Sequence, residues 1–502
     1  MGLVGVELSK EERIVRKFEK NGILLTTHCF EKILENNLDV DSIIDEALKR
    51  GVWLLTEEFI IEFMNSKLKE KEEKEEKHFI VLRKGKEIPA KEVDAELKIY
   101  KESEISGKSS CEGKIEDFIT YFNDRYNNIK EILKERQNLR SMVPIKSLKK
   151  ISSRETVAIC CMITDKISSN RGFKFLEVED PTGSIRVLIP QTNENLLKLY
   201  DSLLLDEVIG ISGTVRDNLF IAQEIFQPDI PYDLKTPEVE DDIAIGFLSD
   251  IHVGSYLFLE KEFEKLIESL NLKNGNEEIF SRVKYLIIAG DLVDGIGIYP
   301  NQEQELSIPD IYKQYDYLSL LVEKIPDWIE IVMSVGNHDA VRQAEPQPKL
   351  DKDIAAPLYD LPNVHLVGNP CYLSIHGVDV LVYHGRSLDT IITSLSNCTY
   401  SQPEVAMIEL LKRRCLVPSY GNDIISPEKK DYLTIKKIPN IFHCGHVHSN
   451  GYATYRGIKV INSGTWQSKT KYQEELGHEP TPGRFPVLNL KTQELQVIHF
   501  VT

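Results

Sequence analysis

Long apolar runs are missing from this 502-residue chain. No stretch of roughly 18 apolar residues occurs, so no membrane-spanning helix is expected. The start, Met1-Gly-Leu-Val-Gly-Val-Glu, runs quickly into charge and carries no secretory apolar region. Cysteine is scarce, at eight residues, and no Cys-x-x-Cys occurs. Cys160 and Cys161 are adjacent and cannot easily pair with each other, so reduced thiols in a cytoplasmic protein are expected. Positive charge is in deficit: 61 Lys and Arg against 79 Asp and Glu leave a net charge of −18. Proteins that bind nucleic acid unaided are usually basic, so any nucleic-acid substrate would need a partner to supply much of the grip. Bound divalent cations would also offset local negative charge. Histidine is scarce too, with 12 residues.

What is present divides along the chain. The length suggests about three domains at roughly 100–200 residues each. Residues 1–75 read as a small helical module, with helix-spaced apolar positions from Glu11 to Lys20 and from Cys29 to Asn36. Residues 76–145 read as a charged linker containing one helix. The mixed Lys/Glu run 67–77 is expected to be solvated, and 78–114 is expected to be flexible. Ile115, Ile119, Phe122, Tyr126, Ile129 and Leu133 step by three and four, so they predict one apolar stripe on a helix. Residues 146–232 change character to five short apolar strand candidates, with Asp180-Pro-Thr-Gly183 as a turn between the second and third. This pattern resembles an all-β OB-fold barrel. Such barrels hold single strands with aromatic and basic side chains, which here would be Phe173, Lys174, Phe175 and Arg186; packing against protein is the other use for the barrel. Residues 233–242 read as a linker. From 243 to 502 apolar runs alternate with helical stretches, which predicts an α/β layered domain.

Five motifs follow apolar runs in that last domain: Ser-Asp250-Ile-His252, Gly290-Asp291, Gly336-Asn337-His338-Asp339, His384-Gly385-Arg386 and Gly445-His446-Val447-His448. They contain five of the 12 histidines. Each stands at the exit of a predicted strand, where sites gather in layered α/β domains. Asp250 and His252 are two residues apart and face one side if extended, and His446 and His448 share that spacing. Gly290 lets the chain turn sharply where Asp291 must reach inward, and a carboxylate there can bridge two cations. Asn337 can ligate through its amide oxygen, and His384 through a ring nitrogen. Imidazole, carboxylate and amide oxygen together suit Mn²⁺, Zn²⁺ or Fe better than a thiolate-seeking metal. Two ions about 3.5–4 Å apart would activate water and clamp a phosphoryl oxygen. His338 stands beside a ligand and is free to protonate a leaving oxygen, with Asp339 expected to orient its ring. Arg386 suits bidentate contact with a substrate phosphate, or serves a structural role.

These motifs, in this order, resemble the calcineurin-like metallophosphoesterase superfamily, whose fold is a two-layered β-sandwich flanked by helices. The resemblance implies one ion on Asp250, His252, Asp291 and His448. It implies a second on Asp291, Asn337, His384 and His446, with His338 as general acid. A closer similarity surrounds the motifs. Ser-Asp-Ile-His-Val-Gly-Ser, Gly-Asp-Leu-Val-Asp-Gly-Ile-Gly-Ile-Tyr-Pro, Gly-Asn-His-Asp-Ala-Val-Arg-Gln-Ala-Glu-Pro-Gln-Pro, Tyr-His-Gly-Arg-Ser, Ile-Asn-Ser-Gly-Thr-Trp-Gln and Leu-Leu-Lys-Arg-Arg are similar to the small subunits of archaeal family D DNA polymerases. That likeness implies a 3′→5′ proofreading exonuclease acting on single-stranded 3′ ends of DNA and bound to a large polymerase subunit. It implies two divalent ions, Mn²⁺ first, with Zn²⁺, Fe or Mg²⁺ as alternatives. The alternatives are a non-catalytic scaffold for the polymerase, as in related eukaryotic subunits that lose the ligands, and a phosphatase of the same superfamily. No ligand position is replaced here.

Overall fold

The computed structural model describes residues 14–64 and 88–501, apart from scattered positions within them. The Lys/Glu run 67–77 lies outside the described residues. The chain divides into two units, 1–87 and 88–502. In the first, helices Thr27–Glu35 and Val40–Arg50 pack with a two-residue parallel pair, β1 (Leu24–Leu25) and β2 (Leu54–Leu55). Phe18, Ile33, Ile43, Ala47, Leu55 and Ile60 form its core. The module is therefore helical with a small β element, because the apolar Val52-Trp-Leu-Leu run contributes Leu54 and Leu55 as a strand.

The second unit is built on two six-stranded sheets. One runs β12 (Val364–Leu366), β11 (Glu330–Ser334), β10 (Val283–Ala289), β9 (Ala244–Leu248), β18 (Arg484–Asn489), β19 (Leu495–His499). The other runs β16 (Asn450–Tyr455), β17 (Ile458–Ser463), β15 (Ile441–Cys444), β14 (Val378–Val382), β13 (Cys371–Ile375), β3 (Leu97–Ile99). The predicted runs from 243 to 461 all become strands of these sheets. Strands β9 and β10 are buried along their whole length, as continuous apolar runs in parallel pairing require. Phe247, Tyr285, Ile287 and Val332 meet Leu373, Val380, Val382 and Ile441 in one core between the sheets. The mixed α/β character and the two-layered architecture both follow from this pairing of apolar faces.

The expectation of flexibility over 78–114 is corrected for its described part. Leu97–Ile99 adds an antiparallel edge strand to β13, with Leu373 opposite Ile99. Apolar Leu97 and Ile99 pack onto the inter-sheet core, a long-range gain that local composition conceals. Beyond it, Glu428 accepts hydrogen bonds from Ser109 Oγ, Ser110 N–H and Arg342 Nη1 at 2.5, 3.0 and 2.9 Å. The helix Ile115–Lys134 forms as expected, but its stripe is only half used. Tyr126, Ile129 and Leu133 are buried, while Ile115 and Ile119 are exposed. Arg125, off that stripe, is buried and pairs with Asp431 at 3.1 Å.

The five strands expected over 146–232 form a closed barrel: β4 (Val157–Ser168), β5 (Lys174–Asp180), β6 (Gly183–Ile189), β8 (Leu219–Phe226), β7 (Val208–Arg216). Ile159, Ile163, Leu176, Val187, Ile211 and Phe220 fill it. The candidate basic side chains of the barrel are engaged within the chain. Lys174 pairs with Asp201 and Arg186 with Glu177. The barrel joins the sandwich through Arg413, fully buried and paired with Glu207 and Glu409. The stretch that leaves the barrel ahead of the 233–242 linker is likewise docked, with Asp229 held by Tyr455 and Arg456. Among the described residues no helix is long and apolar enough to cross a membrane.

Burial alone would raise the pKa of Glu428, but its bonds from Ser109, Ser110 and Arg342 bring it from 4.5 to about 2. A depressed carboxyl pKa gives stability that is present above the unfolded value and is lost as pH falls towards the folded one. The Glu428 contribution is therefore full above about pH 4.5 and disappears towards pH 2. Glu428→Gln should lower the denaturation midpoint at pH 7 and flatten the acid limb of stability between those values; an unchanged acid limb would contradict this account.

Candidate metal centre

The five motifs converge where the strands of both sheets end. Asp250 and His252 follow β9, Asp291 follows β10, Asn337 and His338 follow β11, His384 follows β14, and His446 and His448 follow β15. Asp250, His252, Asp291, His446 and His448 all have positive φ, from 49° to 70°. For a non-glycine residue that conformation costs on the order of 1 kcal/mol or more. Five such residues forgo roughly 5 kcal/mol or more, comparable with the net stability of many domains. The buried strands on either side hold them there. Two glycines are required for close approach. A Cβ at Gly336 would collide with the Asp291 carboxylate, and one at Gly445 with that of Asp250.

Ring tautomers follow from the outer hydrogen bonds. His384 Nδ1 lies 2.8 Å from the Ala289 carbonyl, which can only accept, so Nδ1 carries the proton. His252 Nδ1 faces Asp294 Oδ1 at 3.0 Å, and His446 Nε2 faces Asp389 Oδ2 at 2.9 Å. In the neutral rings the inward nitrogens then carry lone pairs. They face other acceptors. His384 Nε2 lies 3.0 Å from Asn337 Oδ1, 3.3 Å from Asp291 Oδ2 and 3.3 Å from His446 Nδ1. His252 Nε2 lies 3.9 Å from Asp291 Oδ2. His448 differs: the Gln473 amide, oriented by Thr470 N–H, donates to its Nδ1 at 2.8 Å, so its Nε2 carries the ring proton and lies 3.1 Å from His252 Nε2 and 3.3 Å from Asp250 Oδ1. Buried acceptors facing acceptors repel unless a cation lies among them. Burial pushes the His384 pKa down, yet the adjacent Asp291 overrides it and lifts the value to about 10. A proton is one cation that meets the demand; a divalent metal is the other. The donors form the groups Asp250–His252–His448 and Asp291–His384–His446, and a third group joins His252, Asp291 and His338. The residues present fit hard-to-borderline divalent ions, with no sulfur donor in any of the three groups.

His338 is fixed at two points. Its backbone N–H donates to Asp291 Oδ1 at 2.8 Å, and its Nδ1 donates to the Asp294 carbonyl at 2.8 Å. The expected role of Asp339 is corrected. Its carboxylate turns away from the ring and accepts from Gly336 N–H at 2.8 Å, Leu292 N–H at 3.3 Å and Tyr315 OH at 2.9 Å. Burial and the neighbouring Asp291 push its pKa up to about 7. Asp339 thus locks the Gly336 loop to the Asp291 loop, a task set by tertiary packing. Arg386 is half-buried, and its Nη1 donates to the Gln343 carbonyl at 2.8 Å.

Two carboxylates were missed by the sequence reading. Asp294 is buried and receives Gln467 Nε2 and Gln302 Nε2, each at 3.0 Å, besides holding His252. Its signal was available, three residues beyond Asp291 in Gly-Asp-Leu-Val-Asp. Asp389 lies five residues beyond His384, and only the turn into helix Leu388–Ser394 aims it at His446.

A calcineurin-like phosphoesterase family model matches residues 243–477. The DNA polymerase II small subunit of Methanocaldococcus jannaschii is 44% identical over 408 residues, which is 80% of this chain and 68% of that protein. Proteins of the same name from Methanothermobacter thermautotrophicus and Archaeoglobus fulgidus are 37% and 39% identical, covering 96% and 94% of this chain and 98% and 95% of their own lengths.

Side chains that orient a metal-binding imidazole typically change affinity about 10–100-fold when replaced. Asp294→Asn should weaken Mn²⁺ binding by that order in a calorimetric titration, with the circular dichroism spectrum retained. Wild-type affinity in the variant would remove Asp294 from the site's support.

Proposed function

The chain belongs to the family of archaeal DNA polymerase II small subunits, and from that premise we propose that it is a metal-dependent 3′→5′ DNA exonuclease that docks on and stabilises a large polymerase subunit. The observation that carries the reading is the gathering of inward lone pairs from His252, His384, His446 and Asn337 around Asp291. We assign one divalent ion to Asp250, His252, Asp291 and His448, and a second to Asp291, Asn337, His384 and His446, with Mn²⁺ as the first candidate. When bound, the pair would make a water nucleophilic and draw charge from the phosphoryl oxygens.

The rest falls to the chain's own side chains. His338 is the general acid. Its Nδ1–H is committed to the Asp294 carbonyl, so Nε2 is the atom that delivers a proton. Burial lowers the His338 pKa, against the pull of Asp291, so the imidazolium form that donates is favoured by acidic pH. In the reaction a water oxygen bonds to phosphorus and gives up one proton to solvent, the P–O3′ bond breaks, and the Nε2 proton goes to O3′ of the shortened strand, after which solvent reprotonates His338. The terminal nucleotide leaves with its 5′-phosphate. Asp294 keeps both His252 and His338 in register, and Asp339 keeps the two loops together. Arg386, steadied by Gln343, is the proposed phosphate contact.

The barrel supports the OB-fold reading. In chain order its strands pair 1-2-3-5-4, with the third and fifth parallel and a helix, Glu194–Ser202, between the third and fourth. Since Lys174 and Arg186 are paired internally, packing on the sandwich and on the large subunit is the favoured use. That fits a chain of net charge −18 that relies on its partner to hold DNA.

His338→Ala should slow degradation of single-stranded DNA from 3′ ends about 10²–10⁴-fold in Mn²⁺, while metal binding and co-purification with the large subunit persist. Undiminished degradation would remove His338 from its role. Absence of nuclease activity in the wild-type complex with every divalent metal would leave the scaffold role alone.

A further inference from the structure

Residues 469–482 leave the sandwich after β17 and return before β18 as a strap across the His446–His448 side of the site. Lys469 and Glu479 close its base with a 2.6 Å ion pair. Gln473, on the one-turn helix Lys471–Glu475, places its side-chain amide 2.8 Å from His448 Nδ1. Thr481 N–H donates to the His448 carbonyl at 2.9 Å. His478 N–H returns to the Gln473 carbonyl, and the His478 ring lies on Tyr400 with centroids 3.7 Å apart. Tyr400 in turn lies beside Asp389, the carboxylate that holds His446 and that helps to raise the Tyr400 pKa after burial. The strap therefore reaches the outer nitrogen of one candidate ligand directly and that of another through two side chains.

This arrangement leaves rings at the rim that serve no core. Tyr472 is 69% exposed, although its neighbour Gln473 touches the site. Its hydroxyl lies near enough to Tyr400 to add to the rise in that residue's pKa, after burial and Asp389. Lys469 is committed to Glu479, while Arg386 and the exposed Lys471 can meet backbone phosphates but not a base. Stacking is the means left for gripping the base itself. It also suits an exonuclease, which must accept whichever base is terminal, because every base has a π face. Two sides of the site can be told apart. His338 protonates O3′ of the strand that is kept, so its neighbour Tyr299, with ring centroid 6.3 Å away, lies towards the retained strand. The strap lies on the His446–His448 side, which falls to the nucleotide that leaves.

We propose that Tyr472, beside the Tyr400–His478 pair, stacks on the base of the 3′-terminal nucleotide and seats it for removal. Which nucleotide is held rests on the exonuclease reading above; the stacking itself can be tested apart from it.

The test uses the full chain in complex with its large subunit. Without turnover, in EDTA, a single-stranded oligonucleotide ending in 2-aminopurine should lose fluorescence on binding, and Tyr472→Ala should abolish that loss while Tyr472→Phe retains it. With Mn²⁺, Tyr472→Ala should raise KM for single-stranded DNA by on the order of tenfold and leave kcat within about twofold, with Tyr472→Phe close to wild type. On an oligonucleotide ending in an abasic residue, wild type and Tyr472→Ala should have equal KM. Equal quenching in wild type and Tyr472→Ala, or an equal rise in KM on normal and abasic ends, overturns the proposal. Terminal quenching that depends on Tyr472, in a complex that degrades no DNA, supports stacking and overturns the exonuclease reading instead.

Discussion

Unshared electron pairs brought face to face around the Asp291 carboxylate are the constraint on which this molecule turns. His252 Nε2, His384 Nε2 and Asn337 Oδ1 all converge there with no proton between them in the neutral state. Such a cluster repels itself, and only the surrounding fold can hold it until a cation arrives. The fold does so by ending fully buried strands at the site. β9 and β10 have no freedom to shift, so the left-handed turns after them persist at Asp250, His252 and Asp291. The outer hydrogen bonds, from Asp294, Asp389 and the Ala289 carbonyl, then decide which nitrogen of each ring faces inward.

The same stiffness extends outward. The edge strand Leu97–Ile99 covers the last apolar positions of the second sheet. Buried guanidinium groups tie the flanking parts to the sandwich: Arg125 to Asp431 from the long helix, and Arg413 to Glu207 from the barrel. A buried ion pair is expensive to desolvate and gives little net stability, but leaving one partner unpaired costs about 3–5 kcal/mol. Such pairs therefore penalise any other placement of barrel and helix. The barrel spends Lys174 and Arg186 on internal pairs, and the strap beside the site exposes Tyr472. Together with the overall acidity, this agrees with the proposed role of a subunit whose hold on DNA comes from its partner.

Much of this was legible in the chain. Seven ligand positions stood at strand exits in the sequence pattern, and the structure brings all of them to one place. The five barrel strands were equally plain, because each is a short apolar run bounded by turn residues. What misled was local chemistry read without its third dimension. Asp339 adjoins His338 in the chain, yet its carboxylate points to Tyr315 and Gly336. Leu97 and Ile99 sit among charges, yet they complete a sheet. Half of the predicted stripe on Ile115–Lys134 stays exposed, because burial depends on what stands opposite.

The sequence by itself determined which atoms were available: the imidazoles, carboxylates and amide of the candidate ligands, placed at the ends of apolar runs. That much is local, since residue type and strand period are properties of a few neighbouring positions. Only the tertiary structure decided which atoms face inward. Tautomers, the hold of Asp294 and Asp389 on His252 and His446, and the strap at Gln473 and Tyr472 join residues tens to hundreds of positions apart. No local pattern encodes such pairings, because they exist only once two sheets have packed and placed their strand ends side by side.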